Sequence, residues 1–360
     1  MRVLLTGHRG YIGTVLTPWL LARHHTVVGL DSDLYARCTF GPAAALPAVP
    51  ELTKDIRDVE VADLAGHDAV LHLAGLSNDP LGDYEPRLTH EINHHATVRL
   101  AELARAAGVA RFVFSSTCSI YGAAADALLD ETAPANPVTP YGKSKVQAER
   151  ALGQMADDRF SPTSLRSATA FGVSPRLRFD LVLNNLVAWA LTTGRVLLKS
   201  DGRPWRPLVH VEDIARAFVA VLEAPRDLVH AEVFNVGATE ENYRIRDLAA
   251  IVEETVAGSR VEWAPGASPD ARTYRVSGDK LARTLPGARP RWTARTGAEH
   301  LRDAYRREGL GADEFEGPRY KRIAHVLHLR QAGVLDETLR FRAPAAGAPP
   351  RAGTEASPRA

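Results

Sequence analysis

Residues 1–31, MRVLLTGHRGYIGTVLTPWLLARHHTVVGLD, decide the fold. A short apolar run is followed by a glycine-rich turn, an amphipathic helix, and a second apolar run that ends in an acid. Strand, glycine loop, helix, strand and acid in that order predict a βαβ unit that binds a dinucleotide. Gly7, Gly10 and Gly13 are spaced G-x-x-G-x-x-G, one residue wider than the commoner G-x-G-x-x-G. Each still serves a physical end: a tight turn, backbone that approaches a pyrophosphate without a Cβ in the way, and close packing of helix on sheet. The helix N-terminus then faces the phosphates. Asp31 is placed to accept from a ribose 2′-hydroxyl and to repel a 2′-phosphate, which favours NAD over NADP. Arg9 is the opposing signal, a guanidinium able to pair with that phosphate, and Asp31 with Asp33 outweigh it.

Composition sets the bounds. With 360 residues, 45% hydrophobic and 24% charged, the chain can bury a large core and hold one large or two modest domains. A formal net charge of +1 gives no field for steering onto nucleic acid or an anionic membrane, so neither partner is expected. Cys38 and Cys118 are too few and too far apart for a disulfide framework or a four-ligand zinc site. Reduced thiols and a cytoplasmic location are expected. The first strand begins at Arg2, leaving no room for a signal peptide, and no apolar run approaches the ~20 residues that span a bilayer. No metal is expected either: His94 and His95 are adjacent, and neighbours on an α-helix point about 100° apart.

Further along, after the Pro- and Ala-rich GPAAALPAVPEL, Lys54 to Arg57 reads K-D-I-R, with Asp55 and Ile56 placed beside the adenine. The strand DAVLHLAG follows, and its small Ala74 and Gly75, next to Leu73, let backbone pass close to the cofactor. His72 lies inside that apolar strand and reads as packed rather than catalytic. The polar loop LSNDPLGDYEP lines the substrate mouth, with Asn78 and Asp79 as contacts. Near the start of the next amphipathic helix, Asn93 can hydrogen-bond backbone at the cofactor site.

RFVFSST is an apolar, β-rich run that carries Ser115 and Thr117 to the carboxyl edge of the sheet. In YGKSKVQAERAL, Tyr141 and Lys145 stand four apart and project from one helix face. A phenol of pKa ~10 is a poor base, but an ammonium within a few ångströms favours the phenolate and makes a proton shuttle of it. Thr117 would hydrogen-bond the same substrate oxygen.

TGHRGYIG, the acid of VVGLD, DIRD, HLAG, FSSTCSIYG and YGKSK occur here in one order. In this the chain resembles the extended short-chain dehydrogenases/reductases of the nucleotide-sugar epimerase/dehydratase kind, over about residues 1 to 340. The resemblance implies a Rossmann-type α/β fold, a doubly wound parallel sheet with a smaller discontinuous α/β substrate domain. It divides the chain into 1–172 and 206–229 for NAD, 173–205 and 230–342 for substrate, and a disordered tail at 343–360. It makes Thr117, Tyr141 and Lys145 the catalytic set and places Arg9, Tyr11 and Ile12 with the loop glycines against the cofactor. Lys145 would also hold the nicotinamide ribose. Arg206 in GRPWRPLVHVEDIARAF and Arg272 in SPDARTYRV match diphosphate-binding arginines, whose planar donor forks suit a pyrophosphate. Asn184 or Asn185 contacts the sugar phosphate, and Ser119 stands near the sugar. Phe171 and Gly172 replace the family's usual tyrosine-glycine.

Two departures narrow the activity. Family 4,6-dehydratases carry an acidic pair directly after the catalytic threonine, and this chain has Cys118 and Ser119 there. A thiol and a hydroxyl do not replace two carboxyls in acid/base elimination. The 3,5-epimerases place a cysteine two residues beyond the hydroxyl, which is Ser119 here; Cys118, one earlier, points to the other side of an extended segment. The expected function is NAD-dependent epimerisation of a nucleotide-diphosphate sugar through a transient keto intermediate. The alternatives are a nucleotide-sugar ketoreductase or dehydrogenase, and a catalytically silent NAD-binding regulator. The resemblance also implies a homodimer built on the helices that begin near Glu91 and Tyr141. The segment 316–342 has no generic counterpart, and Arg319, Tyr320, Lys321 and Arg322 read as solvating a helix rather than capping the site.

Overall fold

The computed structural model describes residues 1–42, 46–77, 79–268 and 272–342. Asn78 and the tail 343–360 lie outside the described residues. In chain order the strands are β1 Arg2–Thr6, β2 Thr26–Asp31, β3 Glu51–Thr53, β4 Ala69–His72, β5 Arg111–Thr117, β6 Ala123–Leu129 and β7 Ser161–Ser167. They continue as β8 Thr169–Phe171, β9 Arg195–Ser200, β10 Trp205–His210, β11 Val233–Val236, β12 Asn242–Arg244, β13 Arg260–Ser268 and β14 Thr273–Val276.

Seven strands form one parallel sheet in the order β11-β7-β5-β4-β1-β2-β3. Alternation along β1 assigns its side chains to two helical layers. Val3 and Leu5 pack with Leu16 and Leu20 of the helix Gly13–Ala22 and with Ile214 and Phe218 of the helix Val211–Glu223. Leu4 faces the other way, into a cluster with Leu100 and Ala104 of the helix Ala96–Ala106. β4 and β5 repeat the pattern, with Leu71 and Val113 on the first side and Val70, Phe112 and Phe114 on the second. Apolar cover on both faces is why these strands read as continuous hydrophobic runs.

The chain reverses direction across the sheet between β1 and β4, and ligands of open parallel sheets bind outside the carboxyl ends at such a point. Gly7 follows β1 with φ +74°, and a Cβ there would come within 2.7 Å of the nitrogen of Ala74, two residues past β4. Smaller units stand over this edge: β10 between β8 and β12, β9 with β13, and β6 with β14.

Three expectations need correction. β11, assigned with residues 230–342 to the smaller domain, pairs with β7 as an outer strand of the main sheet. The segment 316–342 does not simply solvate a helix: Tyr320 and Arg322 are buried, and Val326, Leu329, Leu335 and Leu339 join the cluster of Leu4, Leu30 and Val70. His94 and His95 do not diverge, because Glu91–His95 is a π-helical turn. In this wider turn the ring nitrogens of His90, His94 and His95 all lie within 4.8 Å of one another.

Candidate active site

β5 and the helix Pro140–Gln154 bring the reactive groups together. Thr139 caps that helix, accepting from the Gly142 N–H at 3.1 Å and donating to the Asp79 carboxylate at 2.7 Å, and Pro140 opens the first turn. Tyr141 and Lys145 then share a face. The Tyr141 and Thr117 side chains border the same cavity, and Thr117 Oγ1 accepts from the Ser119 N–H at 3.1 Å. Lys145 Nζ donates to the Ser115 carbonyl at 2.8 Å and lies 4.6 Å from the Phe114 ring centre and 5.9 Å from that of Tyr141.

Burial dominates the electrostatics. It pushes the Tyr141 hydroxyl well above its ordinary range, and the Asp79 carboxylate adds to that, while Thr117 and the Arg178 guanidinium pull it down. Burial also pulls the Lys145 ammonium down to about 8. Desolvation is the largest influence on the phenol, ahead of the charges around it. Cys118 faces away from the cleft, donating to the Arg166 carbonyl at 3.0 Å, and burial raises its thiol. Ser119 borders the cavity and meets the Tyr274 hydroxyl at 3.4 Å.

A cavity of about 690 Å³ runs from the glycine loop past Tyr141 to Arg206 and Arg272. Its floor has no room for side chains: a Cβ on Gly13 would come within 2.2 Å of the Gly7 oxygen. Asp31 ends β2 and accepts from the Arg9 N–H at 3.0 Å and the Asp33 N–H at 2.9 Å. The Arg9 guanidinium, the opposing signal, is held by Glu51 at 2.6 and 2.7 Å. It is committed to an acid rather than free for a 2′-phosphate. At the far end Arg206 donates to the carbonyls of Trp205 and Arg272, and Arg272 pairs with Asp79.

A family model described as the NAD dependent epimerase/dehydratase family matches residues 3–237. The chain belongs to that family. NAD is the cofactor of this epimerase/dehydratase family member, and the glycine cradle and the Asp31 carboxylate fit it. A UDP-glucose 4-epimerase of Bacillus subtilis is 29% identical over 84% of this chain and 94% of its own length. The structure of MoeE5 in complex with UDP-glucuronic acid and NAD has 27% identity and a TM-score of 0.74, covering 85% of this chain and 99% of that one. The dTDP-glucose 4,6-dehydratase DesIV of Streptomyces venezuelae, with NAD bound, has 27% identity and a TM-score of 0.75, covering 87% and 99%.

In this family member the sequence-derived residues gather along the cavity with three exceptions. Asn78 lies outside the described residues. Asn93 does not border the cavity: it is fully buried, its Oδ1 accepting from the Leu76 N–H at 2.8 Å and its Nδ2 donating to the Leu76 carbonyl at 2.9 Å. It sets the backbone beside the cleft. Asn184 is likewise buried, accepting from the Gly172 N–H at 3.0 Å and donating to the Arg178 carbonyl, whereas Asn185 reaches the cavity and donates to Glu316 at 3.2 Å. His72 is a packed residue, both ring nitrogens hydrogen-bonded to threonines, and burial pulls it down to about 3. Sequence reasoning missed Arg178 and Asp180, a buried ion pair at 2.8 Å on the cavity wall, and Tyr274 beside Ser119. In SPRLRFD the charged residues alternate with Leu177 and Phe179, both buried, and that alternation is the signal that marks them.

Proposed function

We propose that Thr117, Tyr141 and Lys145 carry the inversion of one hydroxyl-bearing carbon, C4 first among candidates, of a nucleotide-diphosphate hexose. The activity is that of an NAD-dependent nucleotide-sugar epimerase. The observation that carries the residue assignment is that Thr117, Tyr141 and Lys145 border one cavity, with Lys145 Nζ 5.9 Å from the Tyr141 ring centre and no acid at 118 or 119. Tyr141 takes the proton of the sugar hydroxyl as the ketone forms and returns it when the alcohol re-forms on the other face. Thr117 donates to the oxygen on which charge develops. Bound NAD supplies a reversible hydride acceptor and a cationic ring that favours the phenolate. Lys145 would hold the nicotinamide ribose, and the glycine loop and Asp31 the rest of the dinucleotide. Arg206 would take the diphosphate of the sugar nucleotide, joined by Arg272 once it exchanges its Asp79 partner for the ligand, with Asn185 and Ser119 lining its path, in a smaller unit built mainly from 173–205 and the segments after β11.

The acids that border the catalytic end are paired, Asp79 with Arg272 and Asp180 with Arg178, so neither is presented as the free acid that water loss requires. Incubation with UDP-, dTDP-, GDP- and CDP-hexoses, followed by proton NMR, tests the reading. An inverted sugar with no net reduced nicotinamide is expected, UDP-glucose being the first substrate to try. Stoichiometric reduced nicotinamide would show a dehydrogenase instead, and loss of water a dehydratase. We further propose a homodimer through the helices Ala96–Ala106 and Pro140–Gln154; a monomer mass by light scattering at micromolar concentration would refute it.

A further inference from the structure

His90 closes the helix Pro86–His90, and His94 and His95 belong to the π turn Glu91–His95 that follows it. In an α-helix a residue five positions on points about 140° away, so only His94 could share a face with His90. The π turn changes this. The Ala96 N–H bonds the Glu91 carbonyl, five residues back, and the wider turn brings positions four and five along to either side of the first. The three ring centres stand 4.6, 4.8 and 5.0 Å apart, and His94 Nδ1 lies 3.3 Å from His90 Nε2. Burial, and after it the neighbouring rings, hold His90 and His94 below the ordinary histidine value, so both are neutral imidazoles at neutral pH. His95 is exposed, which opens the cluster to solvent.

Three imidazoles at this spacing repel one another when protonated; what they offer when neutral is nitrogen lone pairs. Two ligands on a tetrahedral zinc ion with bonds of about 2.0–2.1 Å stand about 3.3–3.4 Å apart, which is the separation His90 Nε2 and His94 Nδ1 already have. The His95 nitrogen lies within 4.8 Å of the others, and rotation of this exposed ring closes the gap. Glu91, the acid of the turn, pairs with Arg57 at 3.0 Å, and among the described residues the group has no fourth such ligand. We propose that His90, His94 and His95 bind one divalent transition-metal ion, zinc first, through three imidazole nitrogens, with water in the fourth position. Imidazole donors select zinc, copper or nickel over magnesium or calcium. On its inner side the same turn carries Asn93, bonded to both polar groups of Leu76 beside the cleft and to Ser144 at 3.3 Å. The ion would clamp the turn from the solvent side while Asn93 holds it from within. Nothing in this inference depends on the assignment of the catalytic groups.

The test titrates zinc chloride into full-length protein freed of metal, in competition with a chromophoric chelator, for wild type and for the His94→Gln and His95→Gln variants. One ion per chain is expected for wild type. Affinity is expected to fall about a hundredfold or more in His94→Gln and about tenfold or more in His95→Gln. Zinc should also raise the melting temperature of wild type and of neither variant. Should His94→Gln fail to fold, as its melt without metal would show, the exposed His95→Gln carries the test. Wild-type protein that binds no zinc overturns the proposal, as does an affinity that neither substitution changes, which puts the ion elsewhere. Wild-type affinity in folded His95→Gln also overturns it, leaving an ordinary helical pair four residues apart. So does one ion per two chains, which moves the site to a contact between copies.

Discussion

At Tyr141, burial raises the hydroxyl most, the Asp79 carboxylate adds to that, and Thr117 and the Arg178 guanidinium oppose it. Replacing Asp79 with asparagine keeps an acceptor for Thr139 but removes the charge. A negative charge raises a phenol, so its removal lowers Tyr141. The acidic limb of the kcat/KM profile of Asp79→Asn is expected to move to lower pH, which a pH series on one substrate checks. Lys145 carries the complementary prediction. Its folded value, about 8, lies below the ordinary 10.5, so the buried ammonium disfavours folding below pH 8 and that cost fades as pH rises toward 10.5. Lys145→Met is expected to be inactive yet more stable than wild type at pH 7, by on the order of 2 kcal/mol, with the gap in melting temperature closing above pH 8. The Tyr–Lys pair was legible because a spacing of four on a helix is visible in the sequence. The choice between Asn184 and Asn185 was not, since it turns on which way a single 100° step points.

The helix Pro140–Gln154 shows how an element can carry both a fold signal and a functional one. Thr139 joins its N-terminus to Asp79, so the cap that starts the helix also fixes the short helix Asp79–Tyr84 that packs beside Tyr141. Thr139→Ala is expected to cost about 1 kcal/mol in thermal or denaturant unfolding and to lower kcat several-fold through misplacement of Tyr141; unchanged kcat would separate the cap from the site. The π turn Glu91–His95 was hidden from a reading based on 3.6-residue periodicity. It carries Asn93, whose amide satisfies both polar groups of Leu76, and this tertiary contact was visible only as an asparagine near a helix start. The strand β11 was misassigned for a related reason, because a four-residue strand, VFNV, does not reveal which sheet it joins.

Across the whole molecule, the central strands β1, β4 and β5 are apolar runs buried on both faces, and the cleft follows from the reversal between β1 and β4. The βαβ unit and the ligand-binding carboxyl edge of a parallel sheet were legible from the first 31 residues and their successors, and the order of the strands was not. What was not legible is the return of residues 316–342 to the sheet, since Arg322 looks like a solvated charge until Tyr35 and Arg176 are placed around it. The central claim, that a phenol beside bound NAD moves the proton of a sugar hydroxyl, is tested most directly by Tyr141→Phe protein loaded with NAD. Unchanged NAD affinity with turnover on a nucleotide hexose reduced at least about a hundredfold is the predicted result. Full turnover by that variant would contradict it.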